Sequence, residues 1–514
     1  MAEKDEKRAK DANPEVDALK ESAEKYCGKR EYNKAIAKLA KALRIAPTDA
    51  DLYKRRGNVH CDIATFTDSG SEGVEEIEKS EYALAIEDYS AAIRLNPDNA
   101  ENYMNRGFIY DNHLKDDKKA LADYNQAIAI DPDRAFTYYL RGGIYFKQNQ
   151  AEAAIDDFDK AINLDKDYPT YYTARGEAYA EKSDRNNAIA DFREAIKLCN
   201  TDSDYIELSF IADKCTKIGE YQLAIDAWSE CIKGDDDFYG KDSYYSYAER
   251  ARVYKLQGND EAALLDFNQA ISIHPDDGYW YYCRSKIYAK QDKLQDAIDD
   301  FDKAISLDGS EKYYWGRGEA YEKKGDWNNA IADFCKAAEL DPLYWDDLGD
   351  KYKERGDDRQ AGDAYQKAIV NYTKAIELDS GSHYSYYHRA HAYDNLKNYE
   401  AAIADLTTMI TMLYLGIKEE YDDDAYARAY AYGARGGVYY ETGKYADALK
   451  DYNDAIDWYN KSTKNDNKWL AGTHNERALT YKDLGDKTRA KADFEMAVKL
   501  DPDEVKYRED LDKL

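Results

Sequence analysis

The side chains in this sequence best suited to bind a transition metal lie close together on one predicted helix. His388, His391 and Asp394 are spaced three positions apart, so an α-helix places them near one face. Imidazole and carboxylate groups are common ligands of transition metals. A metal site at these three residues is therefore one candidate function. The alternative is a solvated or groove-facing cluster that binds no cofactor.

Motifs of the common catalytic classes do not occur in the sequence. The stretch GVYYETGKY has five residues between its glycines, and Tyr445 stands where a P-loop needs Ser or Thr. GDDDFYGKDSYYS places Tyr239 and Ser246 where a calcium loop needs acidic ligands. HExxH, GxSxG and Cys/His zinc spacings are missing as well. We therefore predict a protein that is not an enzyme and that needs no cofactor.

The charge of the chain indicates which partners it suits. Its 514 residues include 73 basic and 103 acidic ones, which gives a formal charge of −30. Phosphate binding requires Lys and Arg to displace counterions, so this charge argues against DNA or RNA as the main partner. It suits a basic protein or peptide. The sequence does not indicate an oligomeric state.

Cysteine use and hydropathy favour the cytoplasm. The seven cysteines include no CxxC pair, and an odd number cannot all form disulfides, which indicates a reducing compartment. No apolar run approaches the length of a membrane span. The charged N-terminal segment MAEKDEKRAKDANPEV has no signal-peptide core. We therefore predict a cytoplasmic protein that does not enter a membrane.

The elements that position these side chains follow a pattern that repeats about every 34 residues. Each copy reads Y-x-x-R-G-x-x-Y and then A-I-x-D-F-x-x-A-I-x-L, as in the segments that begin at Tyr171 and Tyr313. With the first tyrosine numbered position 4, apolar or small residues recur at positions 4, 8 and 11, and again at 20, 24 and 27. This spacing predicts two helices per copy, each with one apolar face.

The pattern occurs in thirteen copies over nearly the whole chain and resembles the tetratricopeptide repeat family. The resemblance rests on the small residue at position 8, Tyr at 11, Ala at 20 and 27, and an aromatic residue at 24. Six copies also carry the family's terminating proline, at Pro47, Pro97, Pro132, Pro275, Pro342 and Pro502. The resemblance implies an all-α, right-handed α-solenoid superhelix of helical hairpins, in which neighbouring hairpins stack and bury their apolar faces.

A comparison of the thirteen copies predicts a set of ion pairs. Ten copies carry Arg at position 7, and the same ten carry Asp at position 23, whereas the other three copies lack both. This joint presence predicts that each arginine pairs with an aspartate, across its own hairpin or in the next one, and so orients the helices. The predicted structural pairs include the residues Arg141, Asp157, Arg175, Asp191, Arg317, Asp333, Arg435 and Asp451.

The family resemblance also implies where a ligand lies, because its members usually bind ligands in a concave groove lined by the first helices. Aromatic and acidic residues dominate the corresponding positions here, which suits a protein segment that bears Lys or Arg. The alternative is that many of these rings pack inside the array. The predicted groove residues are Tyr139, Phe146, Tyr245, Tyr279, Tyr282, Trp315, Asp346, Asp350, Tyr384, Tyr387, Tyr430 and Tyr440.

Departures from the repeat predict how the chain is divided. We expect a softer joint near residue 234 and a chain-specific interface in the irregular units between about residues 361 and 469. The acidic insertion at about 65–80 is predicted to be a mobile loop. The predicted segments are a charged tail (1–15), repeat units 1–6 (16–233), repeat units 7–13 (234–502) and a polar capping helix (503–514).

Together these patterns predict a non-catalytic protein–protein interaction scaffold or adaptor. It holds a protein segment in an acidic, aromatic groove and in that way regulates a separate effector chain. Two alternatives remain open at this point. One is a nucleic-acid-binding superhelix of the same family, and the other is a metal-binding protein that uses His388, His391 and Asp394.

Overall fold

The structure is a computed structural model that describes residues 13–66, 74–199, 205–234, 244–416, 424–463 and 466–514. Over these residues it contains 27 helices and no strand, so the predicted all-α fold is confirmed. Successive helices pair as thirteen hairpins, and one short helix follows the last hairpin. The hairpins are the structural counterparts of the thirteen sequence copies.

The chain divides into two compact units, Met1–Pro275 and Asp276–Leu514. Seven hairpins belong to the first unit. Six hairpins and the final short helix belong to the second. The division thus follows the seventh hairpin, whereas the sequence predicted a joint before it. Residues 235–243 lie outside the described residues, so the predicted joint near residue 234 stays a prediction.

Each hairpin consists of an odd-numbered first helix and an even-numbered second helix. The helices of the first unit are α1 (Pro14–Cys27), α2 (Tyr32–Ile45), α3 (Ala50–Phe66), α4 (Val74–Leu95), α5 (Ala100–Asn112), α6 (Asp117–Ile130), α7 (Ala135–Lys147), α8 (Ala151–Leu164), α9 (Pro169–Glu181), α10 (Arg185–Leu198), α11 (Tyr205–Lys217), α12 (Tyr221–Gly234), α13 (Tyr244–Gln257) and α14 (Asp260–Ile273). The helices of the second unit are α15 (Gly278–Lys290), α16 (Leu294–Leu307), α17 (Glu311–Lys324), α18 (Trp327–Leu340), α19 (Tyr344–Glu354), α20 (Asp358–Leu378), α21 (His383–Asn395), α22 (Tyr399–Leu415), α23 (Asp424–Glu441), α24 (Tyr445–Tyr459), α25 (Asn467–Asp483), α26 (Lys487–Leu500) and α27 (Val505–Asp512). Among these described helices, none has the length and apolar character that crossing a bilayer requires.

The irregular segments differ in part from their predicted structures. The loop predicted at 65–80 is helical at both ends, because α3 continues to Phe66 and α4 begins at Val74. The sequence after Val74 is rich in Glu, Ile and Ala, which support the longer helix. The central residues 67–73, like residues 1–12 of the predicted tail, lie outside the described part. At the other end of the chain, Leu511 and Leu514 pack against the last hairpin.

In the twelve hairpin turns that the structure describes, a residue with a left-handed φ stands two positions before the first residue of the second helix. Gly325 has a φ of 85° in one turn, and Lys397 has a φ of 59° at the corresponding place in another. The next residue in the first case is Asp326, whose carboxylate accepts the amide hydrogen of Asn329 and so caps the second helix. Glycine adopts a positive φ without a steric penalty, which explains its frequency at this position.

The two helices of a hairpin approach closely where a small residue meets a ring. A Cβ atom on Gly142 would lie 2.7 Å from the Phe158 ring, and one on Gly318 would lie 2.6 Å from the Phe334 ring. Both rings are buried. Gly142 and Gly318 therefore have no space for a side chain, because the ring at position 24 already occupies it, whereas other hairpins accept a small side chain at position 8, as at Ala251 and Ser285.

Ten hairpins contain the same bidentate ion pair. In each of them Nε and Nη2 of the arginine donate to the two carboxylate oxygens of a buried aspartate in the same hairpin, at 2.6–3.0 Å. The predicted residues pair as Arg141 with Asp157, Arg175 with Asp191, Arg317 with Asp333, and Arg435 with Asp451.

At least eight of these arginines also contact the preceding hairpin. Their Nη1 atoms donate to a polar side chain on its second helix, at 2.5–3.1 Å. Arg317, for example, donates to Asp302 at 2.5 Å and lies 5.6 Å and 6.0 Å from the ring centres of Tyr314 and Tyr321. One guanidinium thus joins two helices of its own hairpin, a neighbouring hairpin and two rings.

The hairpins without this pair show what replaces it. In hairpin 10 the same two positions hold Leu348 and Ala364, and both are buried. Hairpin 6 has Ile211 and Ala227 there, again buried. An apolar pair can therefore take the place of the ion pair, provided that both members change together.

We expect Gly142→Ala to lower the free energy of unfolding by about 1–3 kcal/mol, because the new methyl group would overlap the Phe158 ring. Gly143→Ala is the matched control, since it adds the same methyl group to the same helix with nothing within 4 Å. We expect it to raise stability by about 0.5–1 kcal/mol through helix propensity. Urea unfolding of the full chain measures both, and equal effects would contradict the close packing.

A second prediction concerns the Arg317–Asp333 pair. Arg317→Leu and Asp333→Ala together reproduce the apolar pair of hairpin 10. We expect each single variant to lose about 3 kcal/mol of stability, because it leaves a partly buried charge unpaired, and the double variant to recover most of that loss. Denaturant unfolding of all four chains measures the coupling free energy. Strictly additive losses would show that the two side chains do not stabilise each other.

Candidate functional site

The second unit contains a pocket of about 320 Å³ that is bordered by α21, α23 and α25. These are the first helices of its last three hairpins. Tyr387 lies on α21, Tyr430 on α23 and Trp469 on α25, and all three rings line the pocket. The pocket therefore overlaps the irregular repeat units in which the sequence predicted a chain-specific interface.

Small residues leave the hollow open. Gly433, Gly437 and Gly472 all line the pocket, and each lies within a helix. A Cβ on Gly433 would lie 3.0 Å from the Trp469 ring, so this glycine lets the indole lie close to α23. A Cβ on Gly437 would lie 3.9 Å from its nearest neighbours and would project into the hollow. Larger side chains at these positions would fill the pocket.

Three half-buried rings form one wall. The Tyr387 and Tyr430 rings meet edge to face with 5.9 Å between their centres. The Tyr430 and Trp469 rings stack at 5.1 Å with an angle of 20° between their planes. Behind them, Tyr459 stacks on Trp469 at 5.5 Å. The wall is preorganised, because each ring packs against another ring.

Two carboxylates lie on the pocket wall without a direct ion pair. Among the described residues, neither Asp394 nor Glu476 has an ion-pair partner within 4 Å. Desolvation by the surrounding protein raises the pKa of Asp394, and the more distant His391 and Lys353 oppose this effect. Desolvation also raises the pKa of Glu476; the Tyr452 hydroxyl and Lys506 oppose this effect, and Asp394 adds to it. The pocket therefore presents two partly desolvated carboxyl groups that make no direct ion pair.

A buried carboxylate beside the pocket connects hairpins 10 and 11. Asp346 is 2% exposed and lies 3.1 Å from Nδ1 of both His388 and His391. Burial alone would raise the pKa of Asp346, but the two imidazoles hold it below its usual range. Burial lowers the pKa of His391, but Asp346, Asp350 and Asp394 overcome this effect and raise it to about 9. A carboxylate only accepts hydrogen bonds, so both Nδ1 atoms carry a proton.

The structure places the three residues of the candidate metal site in different contacts. His388 and His391 contact Asp346 from the preceding hairpin, and His391 and Asp394 both line the pocket. The Nδ1 atoms donate to Asp346, which leaves only the Nε2 atoms as nitrogen ligands, and Nε2 of His391 lies 3.1 Å from the Asn395 amide. Over the part of the chain that the structure describes, no group of three or more His, Cys, Asp or Glu side chains has an arrangement that could hold a metal ion.

The predicted groove residues of the first unit lie in separate environments. Tyr139 is half-buried, with its ring centre 5.4 Å from that of Tyr171. Phe146 packs against the core of its own hairpin. Tyr245 is 45% exposed and touches Trp228 with an edge-to-face contact at 6.1 Å. The ring of Tyr245 is thus the most exposed of the three.

In the second unit only two of the predicted groove residues, Tyr387 and Tyr430, line the pocket. Trp315 lies between Phe334 and Tyr344, at 4.5 and 4.9 Å, and so packs inside the array, as the alternative interpretation proposed. Tyr440 donates to Asp483 at 2.8 Å. The remaining predicted groove residues outside the pocket are Tyr279, Tyr282, Asp346, Asp350 and Tyr384.

Seven pocket residues at groove-lining repeat positions were not among the predicted groove residues. Three of them, Gly437, Asp394 and Glu476, occupy repeat positions 9, 12 and 6. They were overlooked because the selection favoured aromatic residues. Trp469 could not be predicted as a groove residue from its repeat position. It lies before the first position of the repeat, on a helix that begins early, at Asn467.

We expect His391 to titrate near pH 9 and near pH 6.5 in an Asp346→Asn variant. Because the folded-state pKa is raised, the pair stabilises the fold fully below pH 6.5, and that stabilisation is lost as the pH rises towards 9. The imidazole is about one-third exposed, so the loss is about 1 kcal/mol.

NMR of the chain with ¹³C-labelled histidine measures this titration, and His388→Gln assigns the neighbouring signal. The Asn395 amide lies 3.1 Å from Nε2 of His391 and favours the neutral ring. A wild-type titration at or below pH 6.5 would therefore show that the Asn395 contact outweighs the carboxylates.

Several solved structures resemble this chain at low sequence identity. Yeast Tom70 is 15% identical, with a TM-score of 0.41, over 90% of this chain and 94% of Tom70. A chain of the APC/C hetero-tetramer Cut9–Hcn1 is 15% identical, with a TM-score of 0.37, over 97% of this chain and 96% of that chain. The MamA protein is 21% identical with a TM-score of 0.30, over 38% of this chain and 94% of MamA.

Family models identify the repeat itself. One described as "TPR repeat" matches residues 73–113, 114–148 and 142–183. Two further models are described as "Tetratricopeptide repeat". One matches residues 169–202, 244–277, 383–412, 429–466 and 471–504, and the other matches residues 282–344. Together the matches span more than half of the chain. With its thirteen helical hairpins, the chain belongs to the tetratricopeptide repeat family.

Proposed function

We propose that this protein is a non-catalytic scaffold or adaptor that binds a segment of another protein in the pocket between α21, α23 and α25. The observation that carries the proposal is the pocket itself, which combines a preorganised aromatic wall with unpaired carboxylates. Aromatic residues provide large contact areas at little entropic expense, and they dominate binding hot spots.

The shape of the site favours a chain segment over an isolated small molecule. Three successive hairpins contribute one wall residue each, so a segment that crosses the helices contacts Tyr387, Tyr430 and Trp469 in turn. The pocket volume of about 320 Å³ is at the lower end for ligand sites, which fits one side chain of that segment. The rest of the segment would lie along the exposed surfaces of the first helices.

Charge favours a basic partner. The chain has a formal charge of −30, which attracts cationic proteins and speeds their association at low ionic strength. The same charge disfavours nucleic acid, so the protein partner is the proposal here. A complex of this kind could hold a separate effector chain and regulate it.

The proposed location is the cytoplasm. All seven cysteines are free thiols in the structure, and three of them, Cys199, Cys215 and Cys231, lie in the core of the first unit. Buried free thiols are characteristic of proteins from reducing compartments.

We expect peptides selected from a random library on the full chain to lose affinity about tenfold or more when both pocket tyrosines are replaced, as in Tyr387→Ala/Tyr430→Ala. Fluorescence anisotropy with the recovered peptides measures the affinity at low and high salt. Tyr245→Ala is the matched control, because it removes an exposed ring of the first unit.

Equal losses in the control and the pocket variant would show that the contact is not specific to the pocket. Peptides that bind the pocket variant with wild-type affinity would place the binding surface elsewhere. Selective, salt-sensitive binding of nucleic acid in a parallel titration would favour the nucleic-acid alternative instead.

A further inference from the structure

We propose that the pocket receives an arginine side chain of the partner segment, with its guanidinium group against the aromatic wall and its donors on Asp394 and Glu476. This inference rests on the proposed function and specifies the residue that the site recognises. It concerns a ligand that the protein does not supply itself, because none of the residues that line the pocket is Lys or Arg.

The first argument is charge. His391 lines the pocket and contacts Asp346 at 3.1 Å. Asp394 and Glu476 have no ion-pair partner within 4 Å among the described residues. His391, Lys353 and Lys506 act on them only from farther away. Carboxylates in a protein-walled hollow are destabilised until a cation arrives, so a bound guanidinium gains more here than at an open surface.

The second argument is a buried hydroxyl beside the pocket. Tyr452 is fully buried, and its hydroxyl makes no hydrogen bond of regular geometry among the described residues, although it lies close enough to Glu476 to affect the pKa of that carboxyl group. A Cβ on Gly437 would lie 3.9 Å from this hydroxyl and equally far from Oε2 of Glu476. Both oxygens therefore face the same empty space beside Gly437. A guanidinium has five donors and can satisfy the hydroxyl and the carboxylates together.

The third argument comes from the rest of the chain, which already binds arginine with this set of groups. In nine hairpins a guanidinium lies within 6 Å of a tyrosine ring centre while it donates to a carboxylate. Arg435, next to the pocket, lies between Tyr432 and Tyr439 and is paired with Asp451. The pocket has the rings and the carboxylates of such a site but no arginine.

Arginine is favoured over lysine for physical reasons. A guanidinium is planar and weakly hydrated, so it can stack on a ring while its edges reach separate acceptors. An ammonium group is strongly hydrated and binds as a point charge. Stacked rings such as Tyr430 and Trp469 present a flat face, which matches the planar group better than the compact one.

The test uses the full chain and three capped nonapeptides in which four Gly/Ser residues flank a central Arg, citrulline or Lys on each side. Citrulline has nearly the shape of arginine but no charge. We expect the arginine peptide to bind about tenfold more tightly than the citrulline peptide, and also more tightly than the lysine peptide. Isothermal titration calorimetry at low ionic strength measures the three affinities.

Two variants locate the contact. Gly437→Leu fills the hollow, and we expect it to reduce arginine-peptide affinity about tenfold or more while leaving the thermal midpoint unchanged or higher, since leucine favours the helix. Gly143→Leu is the matched control, because it occupies repeat position 9 of another hairpin with nothing within 4 Å. Glu476→Gln should narrow the difference between the arginine and citrulline peptides.

Equal affinities for arginine and citrulline, a preference for lysine, or full binding by Gly437→Leu would each overturn the inference. Library peptides whose binding requires Tyr387 and Tyr430 but survives replacement of every arginine would support the proposed scaffold function and contradict the arginine site. If neither peptide set binds, both proposals fail.

Discussion

The stacking of hairpins depends on one guanidinium group in each of ten repeats. It holds a buried aspartate across its own hairpin, and in at least eight repeats it reaches a polar side chain of the preceding hairpin as well. Apolar packing brings the helices together, and a bidentate pair adds one defined geometry. The recurrence of tyrosine at positions 4 and 11 fits this contact, because the two rings flank the same guanidinium.

The pocket lies where the hairpins keep the repeat's helix packing but differ from it in the residues on their first helices. Hairpin 12 retains the Arg435–Asp451 pair, so its helices keep their relative orientation. Gly433 and Gly437 then remove side chains from the pocket side of α23, and the early start of α25 brings Trp469 over α23. A regular scaffold thus permits local variation, since the contacts that orient the helices are separate from those that line the hollow.

Much of the fold could be predicted from the sequence, because thirteen copies repeat the same apolar spacing and each copy needs its neighbours. The sequence predicted that each arginine pairs with an aspartate, but it did not show which one. A pair within one hairpin and a pair between neighbouring hairpins both fit the repeat pattern. Asp346 could not be foreseen as the partner of His388 and His391, because the contact spans 42 residues and depends on how two hairpins pack. The sequence predicted only part of the pocket. Tyr387 and Tyr430 could be predicted from their repeat positions. The hollow itself is formed by glycines, and the absence of a side chain does not identify a pocket in a sequence.

The contact between each arginine and the hairpin before it has a direction along the chain. Asp302 precedes Arg317, and Asp159 precedes Arg175, so the acceptor is always made first during synthesis. A hairpin that leaves the ribosome therefore finds the acceptor for its arginine already synthesised on the segment ahead of it. Growth of the stack can proceed one hairpin at a time from the N-terminal side, and no hairpin has to wait for a later one to satisfy its arginine.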